Sequence, residues 1–179
     1  MIDPATLHRF GFAMLLLVLG AFSIFFRMLP VGPMTGGWPP PDLIVLLGFA
    51  WVLRRPDFVP VLLFGVLMLV SEFMFFRPPG PGAALAVIGL EALRGRAGLL
   101  GEQTFPVEWA TVAAVLVLMF VAERTLLAVF FVERAPFGLS LIGLVVNIAV
   151  YPLVAAVSVW AFRVRRLAPG EHAAEARLA

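Results

Sequence analysis

The sequence predicts an all-α integral membrane protein: a six-transmembrane-helix bundle with N- and C-termini cytoplasmic. Three observations carry that expectation. The 179 residues are 62% hydrophobic and only 13% charged, with mean hydropathy +1.04, whereas soluble domains are about half apolar and about a quarter charged. A single small core cannot hide so much apolar side chain, because surface falls too slowly with size. The apolar residues gather into six runs, and all 13 basic residues are arginines, most of them placed at the ends of those runs, where they report topology. No exposed segment interleaves basic residues with aromatics, so nucleic acid is not an expected partner. Cysteine is absent, which excludes disulfides and cysteine-based metal sites.

The first run, about residues 10–29, exceeds the roughly 7–15 residues of a signal-peptide apolar region and has no A-x-A-like site after it. It reads as a retained first helix. The second lies in WPPPDLIVLLGFAWVLRRPD, residues 38–57. Its apolar part is short against the roughly 20 residues that about 30 Å of hydrocarbon requires. Extended back through Pro41 and Pro40, the helix covers 40–53. Proline is tolerated in a first turn, where its missing N–H would be unpaired. Asp42 in that turn favours the positive end of the helix dipole, and Trp38 and Trp51 would anchor the interface. The third run, 58–76, spans directly. The fourth reaches span length as 81–100 by continuing through Arg94 and Arg96, whose stems can snorkel. Runs 107–132 and 138–162 complete a single domain over 1–166, and 167–179 reads as a short flexible cytoplasmic tail.

Arginine placement sets the orientation. Six spans with the N-terminus inside put nine arginines on the cytoplasmic side, among them Arg9, Arg54, Arg55, Arg94 and Arg96. Only Arg27, Arg77 and Arg134 fall outside, and Arg124 lies within the bilayer. If 40–53 did not cross, this bias would be lost, so the short run is expected to cross. Its shortness then implies local thinning or shielding by neighbouring helices.

Several polar residues fall inside the runs: Glu72, Glu91, Glu123, Arg124 and Asn147. An ionisable group at the bilayer centre costs at least about 2.5–3.5 kcal/mol, so each needs a partner or an interior face. Glu91 and Arg94 stand at i, i+3 and can meet on one face. Glu123 and Arg124 point about 100° apart, so at least one reaches another helix or another protein. Asn147 can bond between helices. These groups read as a relay, as a ligand pocket or as helix–helix glue. Glue is preferred, because no inverted repeat accompanies them. Tyr151–Pro152 is a mid-helix proline expected to kink its helix. Gly82-x-x-x-Ala86 and Ala110-x-x-x-Ala114 permit close helix approach.

No catalytic constellation is legible. His8 and His172 lie in opposite terminal segments, away from any second ligand, so no metal or cofactor is expected. There is no G-x-S-x-G, no phosphate-cradling glycine loop with lysine, and no Ser–His or paired-Asp arrangement within the runs.

Three segments, PPPDLIVLLGFAWVLRRPD, VLLFGVLMLVSEF and NIAVYPLVAAVSVWAFRVRR, resemble those of the rod shape-determining protein MreD family, and the likeness covers nearly the whole chain. The embedded acid is Glu72 here, where the family more often has Asp. The resemblance implies a non-enzymatic inner-membrane subunit of the bacterial elongation machinery. Its partner would be MreC, in a larger complex with MreB, RodA and a class B penicillin-binding protein that supports lateral peptidoglycan synthesis and cell shape. Asp42, Glu72 and the external loop over 30–41 are the expected MreC contacts. The family's likeness to small vitamin-uptake subunits keeps an alternative open: a small-molecule-binding subunit with Glu91, Arg94, Glu123 and Asn147 lining its pocket.

Overall fold

The computed structural model describes residues 4–29, 39–101, 103–132 and 136–161. Most of the expected 30–41 loop, Trp38, Arg134 and the 167–179 tail lie outside the described residues. Among the described residues the chain is helical throughout, without strands. The helices are α1 (Pro4–Met28), α2 (Leu43–Arg54), α3 (Val61–Met74), α4 (Pro81–Arg94), α5 (Ala97–Gly101), α6 (Phe105–Val129) and α7 (Phe137–Trp160), with a 3-10 turn at Pro56–Phe58.

Three helices are long and apolar enough to cross a membrane: Leu7–Met28 of α1, α6 and α7, with 22, 25 and 24 residues. Many large apolar side chains face outward, among them Phe22, Phe73, Leu118 and Leu153. Monomeric soluble proteins rarely expose such extensive apolar surface, so this is the character of a membrane protein.

Helices α2, α3 and α4 are shorter than their apolar runs predict, each for a local reason. Instead of covering 40–53, α2 starts at Leu43. Pro39 and Pro40 each precede a proline, which biases them away from helix. Asp42 is the non-helical N-cap, at φ −86° and ψ 82°. In place of 58–76, α3 occupies Val61–Met74. Val59 precedes Pro60 and is held extended, at φ −116° and ψ 85°. The expected 81–100 helix breaks after Arg94 at Gly95, a poor helix former. There Arg96 N–H bonds Leu93 O in a tightened turn before α5 begins. At 12, 14 and 14 residues, these helices measure about 18–21 Å.

Shortness and burial go together in α2. Ten of its twelve residues are buried, with Phe49, Ala50, Trp51 and Val52 wholly enclosed. A helix apolar on every side belongs inside a protein or a membrane, and α2 is surrounded by α1, α3, α4, α5 and α7. Its neighbours supply the shielding. The long helices α1, α6 and α7 instead bury only a minority of their apolar windows and form much of the outer surface.

Polar contacts fix the helix directions. The start of α2 meets Arg27 at the end of α1, and the end of α3 meets the start of α4. At the opposite end, the last residue of α2 meets the beginning of α6 and the second half of α7. Successive long elements therefore alternate in direction. Close approach between α2 and α3 depends on Gly48, where a Cβ would overlap the ring of the fully buried Phe64. Gly82-x-x-x-Ala86 also faces the interior, with Ala86 fully buried. Ala110 and Ala114 are exposed.

Gly48→Val is expected to destabilise the bundle by about 1–3 kcal/mol through overpacking. Thermal unfolding in detergent, followed by circular dichroism, measures this.

Candidate functional site

Two polar clusters occupy opposite ends of the bundle. One is closed and saturated with contacts; the other opens into a cavity.

The closed cluster centres on Glu108 in the first turn of α6, which is 1% exposed. Arg54 Nη1, from the last residue of α2, donates to Glu108 Oε1 at 2.9 Å and to Ala50 O at 2.8 Å. Tyr151 Oη of α7 donates to the same carboxylate oxygen at 2.6 Å. One oxygen thus joins three helices. A buried ion pair survives only when further hydrogen bonds offset its desolvation, and Tyr151 and Ala50 supply them. One turn from Arg54, Trp51 Nε1 donates to Ser158 Oγ at 3.1 Å, and that hydroxyl donates to Val154 O at 2.7 Å. Trp51 is therefore a core residue rather than the expected interfacial anchor. Arg54, although the last residue of its helix, likewise lies inside the bundle, 5% exposed.

The residue after Glu108 answers the residue after Tyr151. Pro152 sits inside α7 and has no N–H to offer the carbonyl four residues earlier, that of Ile148. Trp109 Nε1 donates to that Ile148 oxygen at 2.9 Å. Neighbouring helices commonly satisfy groups freed by proline in apolar surroundings. Two adjacent residues of α6 thus hold two adjacent residues of α7, and the helix continues through the proline.

The open cluster lies at the other end. A cavity of about 490 Å³ is bounded by α1, α2, α3, α4, α6 and α7. Three guanidiniums line it, from Arg27, Arg77 and Arg124, and so do three carboxylates, from Asp42, Glu72 and Glu123. Its apolar wall includes Val45, Met68, Leu116, Met119 and Leu144.

These charged groups differ in how firmly they are held. Glu72 accepts from Gly80 N–H at 2.7 Å and Ala83 N–H at 2.8 Å, so it closes the exposed donors at the start of α4. Gly80 adopts φ 109° there, a conformation open to glycine. A Cβ on Gly82 would stand 2.5 Å from Glu72 Oε1, so only glycine leaves room for the carboxylate. Arg124 Nη2 donates to Ser140 Oγ of α7 at 2.8 Å and lies over the rings of Phe120 and Phe137. Asp42 is held loosely. Its carboxylate is 3.8 Å from Arg27 and 3.9 Å from Arg77, while its Oδ1 is buried with no hydrogen-bond partner among the described residues. Its backbone N–H donates to Asn147 Oδ1 at 2.7 Å, tying α2 to α7.

Of the residues expected to share one pocket, the cavity contains Glu123 and Asn147 but not Glu91 and Arg94. Glu91 lies about two and a half turns, and Arg94 more than three turns, along α4 from Gly82. They pair with each other at 3.2 Å, and Arg94 also donates to Val59 O at 2.5 Å. Glu123 and Arg124 diverge as their adjacency requires, Glu123 toward Gly82 of α4 and Arg124 toward α7. Asp42 and Glu72, the expected partner contacts, are engaged within the chain.

Glu108, Trp109 and Ser158 of the closed cluster, and Arg27 and Arg77 of the cavity, are the residues that sequence reasoning did not single out for these sites. Glu108 sits just after Pro106 at the start of a run, where an acid reads as an ordinary first-turn residue. The available signal was a Glu–Trp pair on one helix and a Tyr–Pro pair on another. Nothing in a separation of 43 residues aligns the two.

Glu108→Gln leaves Arg54 buried without its anion and is expected to cost about 3–5 kcal/mol. Tyr151→Phe keeps the ion pair and should cost about 0.6–1.7 kcal/mol, the range for hydrogen bonds between membrane helices. Unfolding of each variant in the same detergent compares them. Trp109→Phe should cost less in a Pro152→Ala background, where the amide at position 152 can take the Ile148 oxygen. A double-mutant cycle reads that coupling. Compared with known proteins, the chain matches no family model, no curated protein and no solved structure.

Proposed function

We propose that the chain is a multi-pass subunit of the bacterial inner membrane, with six crossings and cytoplasmic termini. It acts as a non-enzymatic scaffold and regulator of the rod-elongation machinery, as its resemblance to the MreD family implies. The observation that most supports this reading is the fastening of α2 at both ends. Asp42 and its backbone tie the start of the helix to Arg27, Arg77 and Asn147. Arg54 ties its last turn to Glu108, and Trp51 ties it to Ser158. A central helix held in this way makes a stiff body, suited to presenting a fixed surface to partners. In this reading MreC docks against the bundle, with RodA, a class B penicillin-binding protein and MreB in the wider complex. Asp42 and Glu72 contribute by shaping the end of the bundle that a partner helix meets.

A second reading, a small-molecule-binding subunit of an uptake transporter, draws on one observation: the cavity of about 490 Å³ with charged walls. Its size falls within the range of ligand pockets, about 300–1,000 Å³.

Affinity purification of the intact chain from native membranes separates the two. Recovery of MreC with cell-wall synthesis proteins is the expected result. Recovery of an ATPase module without MreC would overturn the scaffold reading in favour of uptake.

A further inference from the structure

The cavity between Asp42 and Glu123 has an unusual balance. Its six charged side chains comprise three cations and three anions, so a lone ion of either sign would disturb the neutrality of the wall. The pairing inside it is incomplete. Asp42 Oδ1 lacks a hydrogen bond, and its ion pairs are long, at 3.8 and 3.9 Å. Glu123 is half-buried and has neither a hydrogen bond nor an ion pair within 4 Å among the described residues. The Arg77 side chain is 46% exposed and has only its long contact to Asp42 there. Carboxylates and a guanidinium without short partners therefore line one cavity, whose remaining wall is mostly apolar, with Ser140 and Asn147 as its uncharged polar side chains. Glu72 and Arg124 are already engaged by the α4 amides and by Ser140.

The geometry points to a binding site for an amphipathic zwitterion, a primary ammonium and an oxyanion a few ångströms apart with an apolar portion attached. The ammonium lies between Asp42 and Glu123, where its three N–H groups meet the unsatisfied carboxylate oxygens. The oxyanion faces Arg77 and Arg27, whose guanidiniums form strong charge-assisted hydrogen bonds to carboxylate or phosphate. Met68, Leu116, Met119 and Leu144 receive the hydrocarbon. A zwitterion fills both open sets of bonds without changing the charge of the wall, which neither a simple anion nor a simple cation does. An aminophospholipid headgroup and a free amine-bearing zwitterion share this chemistry. The inference rests on the cavity of the second reading but not on any transport role, so direct binding to the purified chain tests it whether or not uptake occurs.

Native mass spectrometry of the full chain in detergent, with phosphatidylethanolamine or phosphatidylglycerol of identical acyl chains, measures the preference. Phosphatidylethanolamine should be retained at least about five-fold better, because only it pairs an ammonium with a phosphate. Glu123→Gln should bring that ratio toward one, and Arg77→Gln should weaken phosphatidylethanolamine retention, both with helix content unchanged. Displacement by soluble phosphoethanolamine would identify the free zwitterion as sufficient. Retention of the preference without displacement would identify the lipid, held by the apolar wall. Equal retention of the two lipids, or an unaltered ratio in Glu123→Gln, overturns the proposal.

Discussion

A carboxylate shut away from solvent keeps its charge only if nearby donors replace the water it has lost, and in this bundle Glu108 sets the terms. Its donors come from Arg54 on α2 and Tyr151 on α7, so satisfying one group fixes the relative position of three helices. The adjoining Trp109 extends the constraint by filling the carbonyl that Pro152 leaves open. A helix made irregular by proline is thereby docked at the place where it is irregular, and the tyrosine beside that proline is committed to the same neighbour. The direction of α2, the register of α6 against α7 and the burial of Trp51 all agree with this junction.

The two ends of α2 contrast. At the Arg54 end, hydrogen bonds saturate the charges and apolar side chains surround them, so the cluster has structural work only. At the Asp42 end, six charges surround a cavity, and several of them are held at distances near 4 Å or left open. Polar groups in apolar surroundings are costly when unsatisfied, so the open end is where further binding energy is available. The bundle is thus saturated with polar contacts at one end and open to further contacts at the other.

Length and burial also explain each other. A short apolar helix facing lipid would have to thin the bilayer, but α2 faces α1, α3, α4, α5 and α7 on nearly every side. The long helices α1, α6 and α7 carry much of the apolar outer surface. The sequence therefore contains hydrophobic runs that look alike by composition but differ in place: peripheral runs of spanning length and the enclosed run of α2, which need not reach it.

Composition alone determined that this is a helical chain of membrane character, since 62% apolar residues cannot be enclosed in a core of 179 residues. Local sequence also determined the i, i+3 meeting of Glu91 with Arg94 and the divergence of Glu123 from Arg124, because these follow from backbone geometry over a few residues. Gly95 and Pro60 are local breakers that hydrophobic continuity masked in the expected spans 58–76 and 81–100. The tertiary structure alone decided which charges meet. Arg54 gained its buried partner only where α6 placed Glu108 beside it, and Trp51 looked like an interfacial anchor until α7 offered Ser158. It also separated Glu91 and Arg94 from the cavity that holds Glu123 and Asn147. The physical reason is range: helical periodicity relates residues three or four apart, whereas the energy of a buried charge depends on partners brought from other helices, and no local pattern encodes which helix arrives.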